Sequence, residues 1–179
     1  MRYELLIAGR GGQGILLIGR VLGVAASKYS NLYVTCSESY VAETRGGDSR
    51  ADLIISNNEE ELDFIKVRKA DIAIFMHQAQ LVKFSSLVKS NGTVYVDETY
   101  VSELPSNVGW RVLRASYTKL AEREIGNIRV ANMVVLGHLI GTTKLINPEA
   151  VEMAIDEVVG EEWSELNKKA FRLGLNIGV

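Results

Sequence analysis

An α/β fold with a mostly parallel sheet is what this sequence predicts, and three observations predict it. A glycine-rich turn, Gly9-Arg10-Gly11-Gly12-Gln13-Gly14, separates a short apolar run, Tyr3 to Ala8, from a run of helical period, Ile15 to Tyr29. Short apolar or β-branched segments then alternate with turn and helix signals as far as Leu113. From Tyr117 onward only helical periods follow. Alternating strands and helices bury their apolar faces by packing helices onto a sheet. The expected architecture is therefore a three-layer, Rossmann-like sandwich with a helical C-terminal part. It forms a single domain over residues 1–179, with an α/β core over 1–115 and helices over 116–179.

Each element has its own reason. Tyr3 to Ala8 is nearly continuous in apolar residues, as a strand buried on both faces must be. In the next segment Ile15, Ile18, Leu22, Ala25 and Ala26 share one helical face, away from Arg20 and Lys28. Leu32 to Cys36 reads as a second strand. Ser37 to Ser49 is too long and polar for a simple hairpin and reads as a loop. Ala51 to Ile55 is the third strand, and Glu59 to Arg68 is a charged connection. Asp71 to Phe75 gives a fourth strand and Val82 to Val88 a helix, with Asn91-Gly92 turning into a fifth strand, Thr93 to Val96. After an irregular stretch with Pro105 and Gly109, Trp110 to Leu113 is the last strand. Helices are expected over Tyr117 to Ile125, Ala131 to Leu139, Pro148 to Val159 and Trp163 to Leu173. Asn147-Pro148 suits an N-cap and first helical position.

The glycine turn carries the chemistry. At a helix start the first N–H groups lack intrahelical acceptors and the helix dipole leaves a partial positive charge, so a phosphate fits there. Gly9, Gly11 and Gly14 meet the G-x-G-x-x-G spacing, and Gly12 removes one more Cβ from the path of a ligand. Arg10 and Gln13, which a turn does not require, can donate to a phosphate or an amide. The competing explanation is a tight turn whose glycines only bring helix and sheet together. The polar loop, with Arg45, Gly46 and Gly47, lies at a strand's carboxyl end, where function commonly resides, although a solvated connector has the same composition.

Composition excludes other classes. A net charge of −2 gives no electrostatic footprint for nucleic acid or an anionic membrane. No apolar run reaches the roughly 18 residues of a membrane span, and the N-terminus lacks the layout of a signal peptide, so a cytoplasmic protein is expected. One cysteine, Cys36, forms neither an internal disulfide nor a cysteine cage for zinc or iron–sulfur. Cys36 reads as a small buried hydrophobe, His138 as a satisfied packing residue and His77 as a surface or helix-capping residue. No catalytic or metal-binding constellation stands out. Met133, Val134, Leu136, Gly137, Leu139 and Ile140 nearly encircle their helix, which places it in the core. The alternative is a partner interface, through which isolated chains would self-associate as a homodimer.

Four segments together, Gly9-Arg10-Gly11-Gly12-Gln13-Gly14-Ile15, Glu43-Thr44-Arg45-Gly46-Gly47-Asp48-Ser49, Asn132-Met133-Val134-Val135-Leu136-Gly137, and Asn167 with Ala170 and Gly174, resemble the gamma subunit of 2-oxoacid:ferredoxin oxidoreductases. The resemblance spans nearly the whole chain and is closest to the 2-oxoglutarate type, in the same family as the gamma domain of pyruvate:ferredoxin oxidoreductase. It implies a subunit of a heteromer with alpha, beta and, in some complexes, delta subunits. Those partners hold thiamine diphosphate and iron–sulfur clusters and pass electrons to ferredoxin. It also implies proximity to coenzyme A, whose phosphates suit the loop at Gly11 to Gly14 and a cation such as Arg45. Two readings compete with it. One is a Rossmann-type NAD- or flavin-binding oxidoreductase, in which Glu38 accepts from an adenosine ribose. The other is a purely structural assembly module.

Overall fold

A computed structural model describes residues 1–41 and 47–178. The core is a six-stranded sheet in the order β2-β3-β1-β4-β5-β6. Its strands are β1 (Arg2–Arg10), β2 (Tyr33–Tyr40), β3 (Asp48–Ser56), β4 (Ala70–Phe75), β5 (Val88–Asp97) and β6 (Arg111–Ala115). β1, β4, β5 and β6 run parallel, while β3 pairs antiparallel with both β1 and β2. The helices are α1 (Ile15–Ser27), α2 (Gln78–Phe84), α3 (Tyr117–Leu120), α4 (Ala131–Thr143), α5 (Pro148–Val159) and α6 (Glu161–Leu175).

Alternation along β1 sorts the core into two layers. Leu5 and Ile7 join the side chains of α1, α4, α5 and α6 on one face of the sheet. Leu6 and Ala8 join Leu81 of α2 and the loop residues Val67 and Val101 on the other. The sandwich is three-layered but lopsided, with most of the helical mass on the first face. α5 begins as its sequence requires: Pro148 needs no backbone donor, and Asn147 Oδ1 accepts from Glu149 N–H at 3.0 Å.

α4 is buried from Ala131 through Ile140, so it is a core helix. It crosses α6 at Gly137 and Gly174, where a Cβ on Gly137 would collide with Phe171 O and one on Gly174 with Val134 O. Only glycine permits that approach, because the obstructing atoms are backbone and cannot swing aside.

Four expectations are corrected. β2 continues through Ser37 to Tyr40 and forms a regular antiparallel hairpin ladder with β3, from Tyr33 opposite Ser56 to Tyr40 opposite Ser49. Polar residues suit it because it is an edge strand, exposed along most of its length. Cys36 is consequently exposed. The helix expected to include Val82 to Val88 ends sooner: α2 starts at Gln78, where His77 caps it by accepting from Ala79 N–H through Nδ1, and stops at Phe84, a 3-10 turn follows over Ser85–Leu87, and Val88 already belongs to β5. Asn91-Gly92 lies within β5 at a register shift against β4. There a Cβ on Gly92 would meet Val88 Cγ1 at 2.8 Å and Lys89 O at 3.1 Å.

Candidate functional site

The glycine turn sits where β1 delivers the chain to α1, and each of its glycines answers a different demand. Gly9 and Arg10 still belong to β1, opposite Ser49 and Asp48. A Cβ on Gly9 would meet Ile15 Cδ1 at 2.7 Å, and one on Gly11 would meet the Tyr40 ring at 3.0 Å. Gly14 is the N-cap of α1 in the left-handed region, φ 71°, pressed against the Asn132 side chain. Gly12 also has a positive φ, 92°, but nothing lies within 4 Å of where its Cβ would be. Three of these positions are occupied by the protein itself. Gly12 alone faces open space.

The loop is braced from distant parts of the chain. Arg10 N–H donates to Gln13 Oε1 at 2.7 Å, and Gln13 Nε2 donates to Met76 O at 3.0 Å, just beyond β4. Gln13 N–H closes the turn onto Arg10 O. The turn therefore does use Gln13, contrary to the expectation that a turn does not require it. Asn132 Nδ2 donates to Gly14 O at 3.2 Å, while its Oδ1 accepts from Met133 N–H, so the asparagine of the N-M-V segment pins the start of α1. Gly11 N–H donates to Gly47 O at 2.9 Å, bringing the polar segment before β3 against the glycine turn. Arg45 and Gly46 lie outside the described residues.

At the carboxyl ends of β1, β4 and β5 a cleft of about 220 Å³ opens beside Gly12 and Gln13. Its other walls are Met76, Tyr100, Thr118, Ile128, Arg129 and Ala131. This is the end of a parallel sheet where ligands bind in open α/β folds. Among the described residues no side chain caps the first N–H groups of α1. Burial, followed by the positive field of Arg10, pushes the pKa of nearby His77 down and favours its neutral ring. Thr118 is held to the buried Asp97 carboxylate through both its N–H and its hydroxyl. The cleft thus offers a helix start without a side-chain cap among the described residues, a guanidinium and an aromatic wall, a set suited to an anionic ligand with a ring. Sequence reasoning missed Tyr100, Thr118 and Arg129, although Tyr100 follows a strand's carboxyl end, the one signal that marked it.

The remaining candidates have structural partners. Glu38 forms a two-pronged pair with Arg20, with both contacts at 2.8 Å. It lies on β2, and β3 separates it from β1. His138 Nδ1 meets Tyr117 Oη at 2.7 Å in the core, as expected of a satisfied packing residue. Asn167 Nδ2 donates to Trp163 O within α6. Among the described residues no cluster of three or more His, Cys, Asp or Glu side chains could hold a metal ion, and no helix is long and apolar enough to cross a membrane.

Comparison with known proteins agrees with the fold. The chain is 40% identical to the 2-oxoglutarate synthase subunit KorC of Methanothermobacter marburgensis, over 97% of this chain and 95% of that one. Its fold matches the crystal structure of a keto/oxoacid ferredoxin oxidoreductase gamma subunit from Geobacter sulfurreducens, with a TM-score of 0.84, 33% identity and coverage of 97% and 96%. A likeness of fold alone, at 21% identity and a TM-score of 0.82, links 97% of it to 30% of a chain of the Magnetococcus marinus 2-oxoglutarate:ferredoxin oxidoreductase. That structure holds 2-oxoglutarate, coenzyme A and succinyl-CoA. Residues 4–177 match the pyruvate ferredoxin/flavodoxin oxidoreductase family, and the chain belongs to that family as a gamma-type subunit of a 2-oxoacid:ferredoxin oxidoreductase.

Proposed function

We propose that this chain is the gamma subunit of a 2-oxoglutarate-type complex and that it contributes the cleft at Gly12 to coenzyme A binding. The observation that carries the reading is the open approach to Gly12 at the start of α1, in a cleft that Arg129 also lines. A phosphate reaching that point meets backbone N–H donors and no Cβ. A guanidinium adds a planar, permanently charged fork, and an aromatic face such as Tyr100 suits an adenine. In this reading Arg45, with Gly46 and Gly47 to let the chain turn, supplies a second cation from the segment before β3. Gly9, Gly11, Gly14 and Gln13 hold the cradle in shape while Arg10 adds positive potential at its rim. Coenzyme A accepts the acyl group in the reaction of the complex. Thiamine diphosphate and iron–sulfur clusters reside on alpha, beta and any delta subunits, which also pass electrons to ferredoxin in the cytoplasm.

The arrangement of Glu38 disfavours the dinucleotide alternative. Its carboxylate is engaged by Arg20, and it stands on a strand that does not adjoin β1, so Glu38 does not wait beside the cradle for a ribose. The deciding experiment titrates the reconstituted complex with coenzyme A and with NAD, in the wild type and in Gly12→Val. Valine at a φ of 92° both strains the backbone and fills the space over the loop. Losing one or two charge-assisted hydrogen bonds, at about 1.5–3 kcal/mol each, raises the coenzyme A dissociation constant about tenfold or more while assembly persists. An unchanged constant in an assembled Gly12→Val complex reduces the cleft to structure, and tight NAD binding reopens the dehydrogenase reading.

A further inference from the structure

The two edges of the sheet are built differently. β6 is short and carries Arg111 and Arg114, both exposed, which discourage another strand from pairing with it. β2 spans Tyr33–Tyr40 with no lysine, no proline and a regular register. Its one charge, Glu38, is neutralised by Arg20. Tyr40 and Val41 are 56% and 45% exposed, and Tyr33 at the other end is 45% exposed. Natural sheets blunt such edges unless something covers them.

The direction of the free backbone groups follows from one bond. Val41 N–H donates to Asp48 O at 2.9 Å, continuing the β2–β3 ladder. In an antiparallel ladder successive residues turn their N–H and C=O to opposite sides. Odd-numbered residues of β2 therefore face β3. Val34, Cys36, Glu38 and Tyr40 face away from the sheet, and among the described residues none of their backbone groups has a partner on that side.

We propose that two copies of this chain pair through β2, antiparallel about a two-fold axis at Ser37, joining their sheets into one. An axis normal to the sheet keeps the α1 face of both copies on the same side, so only residues of equal parity can stand opposite one another. Centring on Ser37 sets Val34 against Tyr40 of the second copy and Cys36 against Glu38, and every outward residue of each strand then exchanges its N–H and C=O. A β-branched side chain meets an aromatic one, Thr35 meets Ser39, and no like charges stand opposed. Centring on Cys36 instead sets Val34 against Glu38 and leaves Tyr40 beyond the paired segment. The occupant is a second copy because the strand is complementary to itself in this register. The inference is independent of the reading of the cleft.

The test is the mass of the full-length chain in solution by light scattering, with and without edge variants. The wild type is expected to run as a dimer. Cys36→Pro removes an outward N–H at an edge, where proline is tolerated, and should give a folded monomer with a circular dichroism spectrum like the wild type. Should that variant fail to fold, Ser37→Lys places like charges across the axis and should also give a monomer. In a Cys36→Ser background, Ser37→Cys should form a covalent dimer on mild oxidation, since the two copies of residue 37 form a non-hydrogen-bonded pair whose Cα atoms lie about 4.5 Å apart, within reach of a disulfide. A wild type that is monomeric at its solubility limit overturns the proposal, even if it then binds alpha or beta subunits. So does a dimer that survives in the folded Cys36→Pro or Ser37→Lys chain, and a Ser37→Cys chain that does not cross-link assigns the wrong register.

Discussion

Two groups of glycines sit at opposite ends of the chain, and they are glycine for opposite reasons. In the turn after β1, Gly12 and Gly14 take positive φ values of 92° and 71°, and the space over Gly12 is empty. At the α4–α6 crossing, Gly137 and Gly174 have ordinary helical backbones, but their missing side chains let one helix touch the backbone of the other. The first group leaves room for something from outside, whereas the second has already filled its room from within. A glycine is thus informative about ligands only after its neighbours have been asked what a Cβ would meet.

The sharpest way to break this contrast is Gly174→Ala. Its Cβ would strike Val134 O and lie 2.9 Å from Gly137 Cα and His138 N, so the helices must separate. Because the atoms struck are backbone, the cost falls at the upper end of overpacking, about 3 kcal/mol or more in chemical denaturation. Gly12→Val carries its main effect in binding instead. A loss of less than about 1 kcal/mol for Gly174→Ala would mean that the crossing is loose and that the contrast between the two groups is overdrawn.

A second test uses pH. His138, on the α4 side of the crossing, is buried and bonded to Tyr117, and burial lowers its pKa from the ordinary histidine value. The folded chain then resists a proton that the unfolded chain accepts. Stability is therefore full above about pH 6.5 and declines as the pH falls from there toward the depressed folded pKa. His77 beside the glycine turn is shifted in the same direction by burial and Arg10, so both histidines contribute to the acid limb. His138→Gln should shallow that limb in melting temperature against pH, and Gly12→Val should leave it unchanged. An acid limb untouched by His138→Gln would assign it to His77 or to carboxylates.

What was legible in the sequence follows the range of the interactions. The strand, turn and helix at the N-terminus were readable because their spacing is local, as was the Asn147-Pro148 start of α5. The braces of the loop were not. Gln13 reaches Met76 and Asn132 reaches Gly14, separations of 63 and 118 residues that no periodicity records. The sequence marks β2 only as far as Cys36 because Ser37 to Tyr40 are polar, yet an edge strand exposed to water needs no apolar face there. The cleft residues Tyr100, Thr118 and Arg129 come from segments that meet only once the sheet has formed.

The smallest expected effect completes the contrast by using a glycine that belongs to neither group. Gly23 lies within α1, where its φ is ordinary and nothing approaches within 4 Å of its absent Cβ. Neither a ligand cradle nor a close crossing explains it. Its neighbour Gly19, one turn earlier, differs, since a Cβ there would meet Ala51 Cβ at 2.8 Å on β3. Gly23→Ala removes backbone freedom from the unfolded chain and adds a strong helix former, which should stabilise the fold by about 0.5–1 kcal/mol. For a chain of this size that corresponds to a rise of about 1–4 °C in Tm. Ser27 Oγ can still donate to the carbonyl of residue 23 in the variant, as it does at 2.7 Å here. Gly19→Ala should lower Tm instead, so the opposite signs expected four residues apart on one helix separate helix propensity from packing. If Gly23→Ala also destabilises the isolated chain, the face of α1 that looks open is in contact with something, and the second copy is the first candidate to examine.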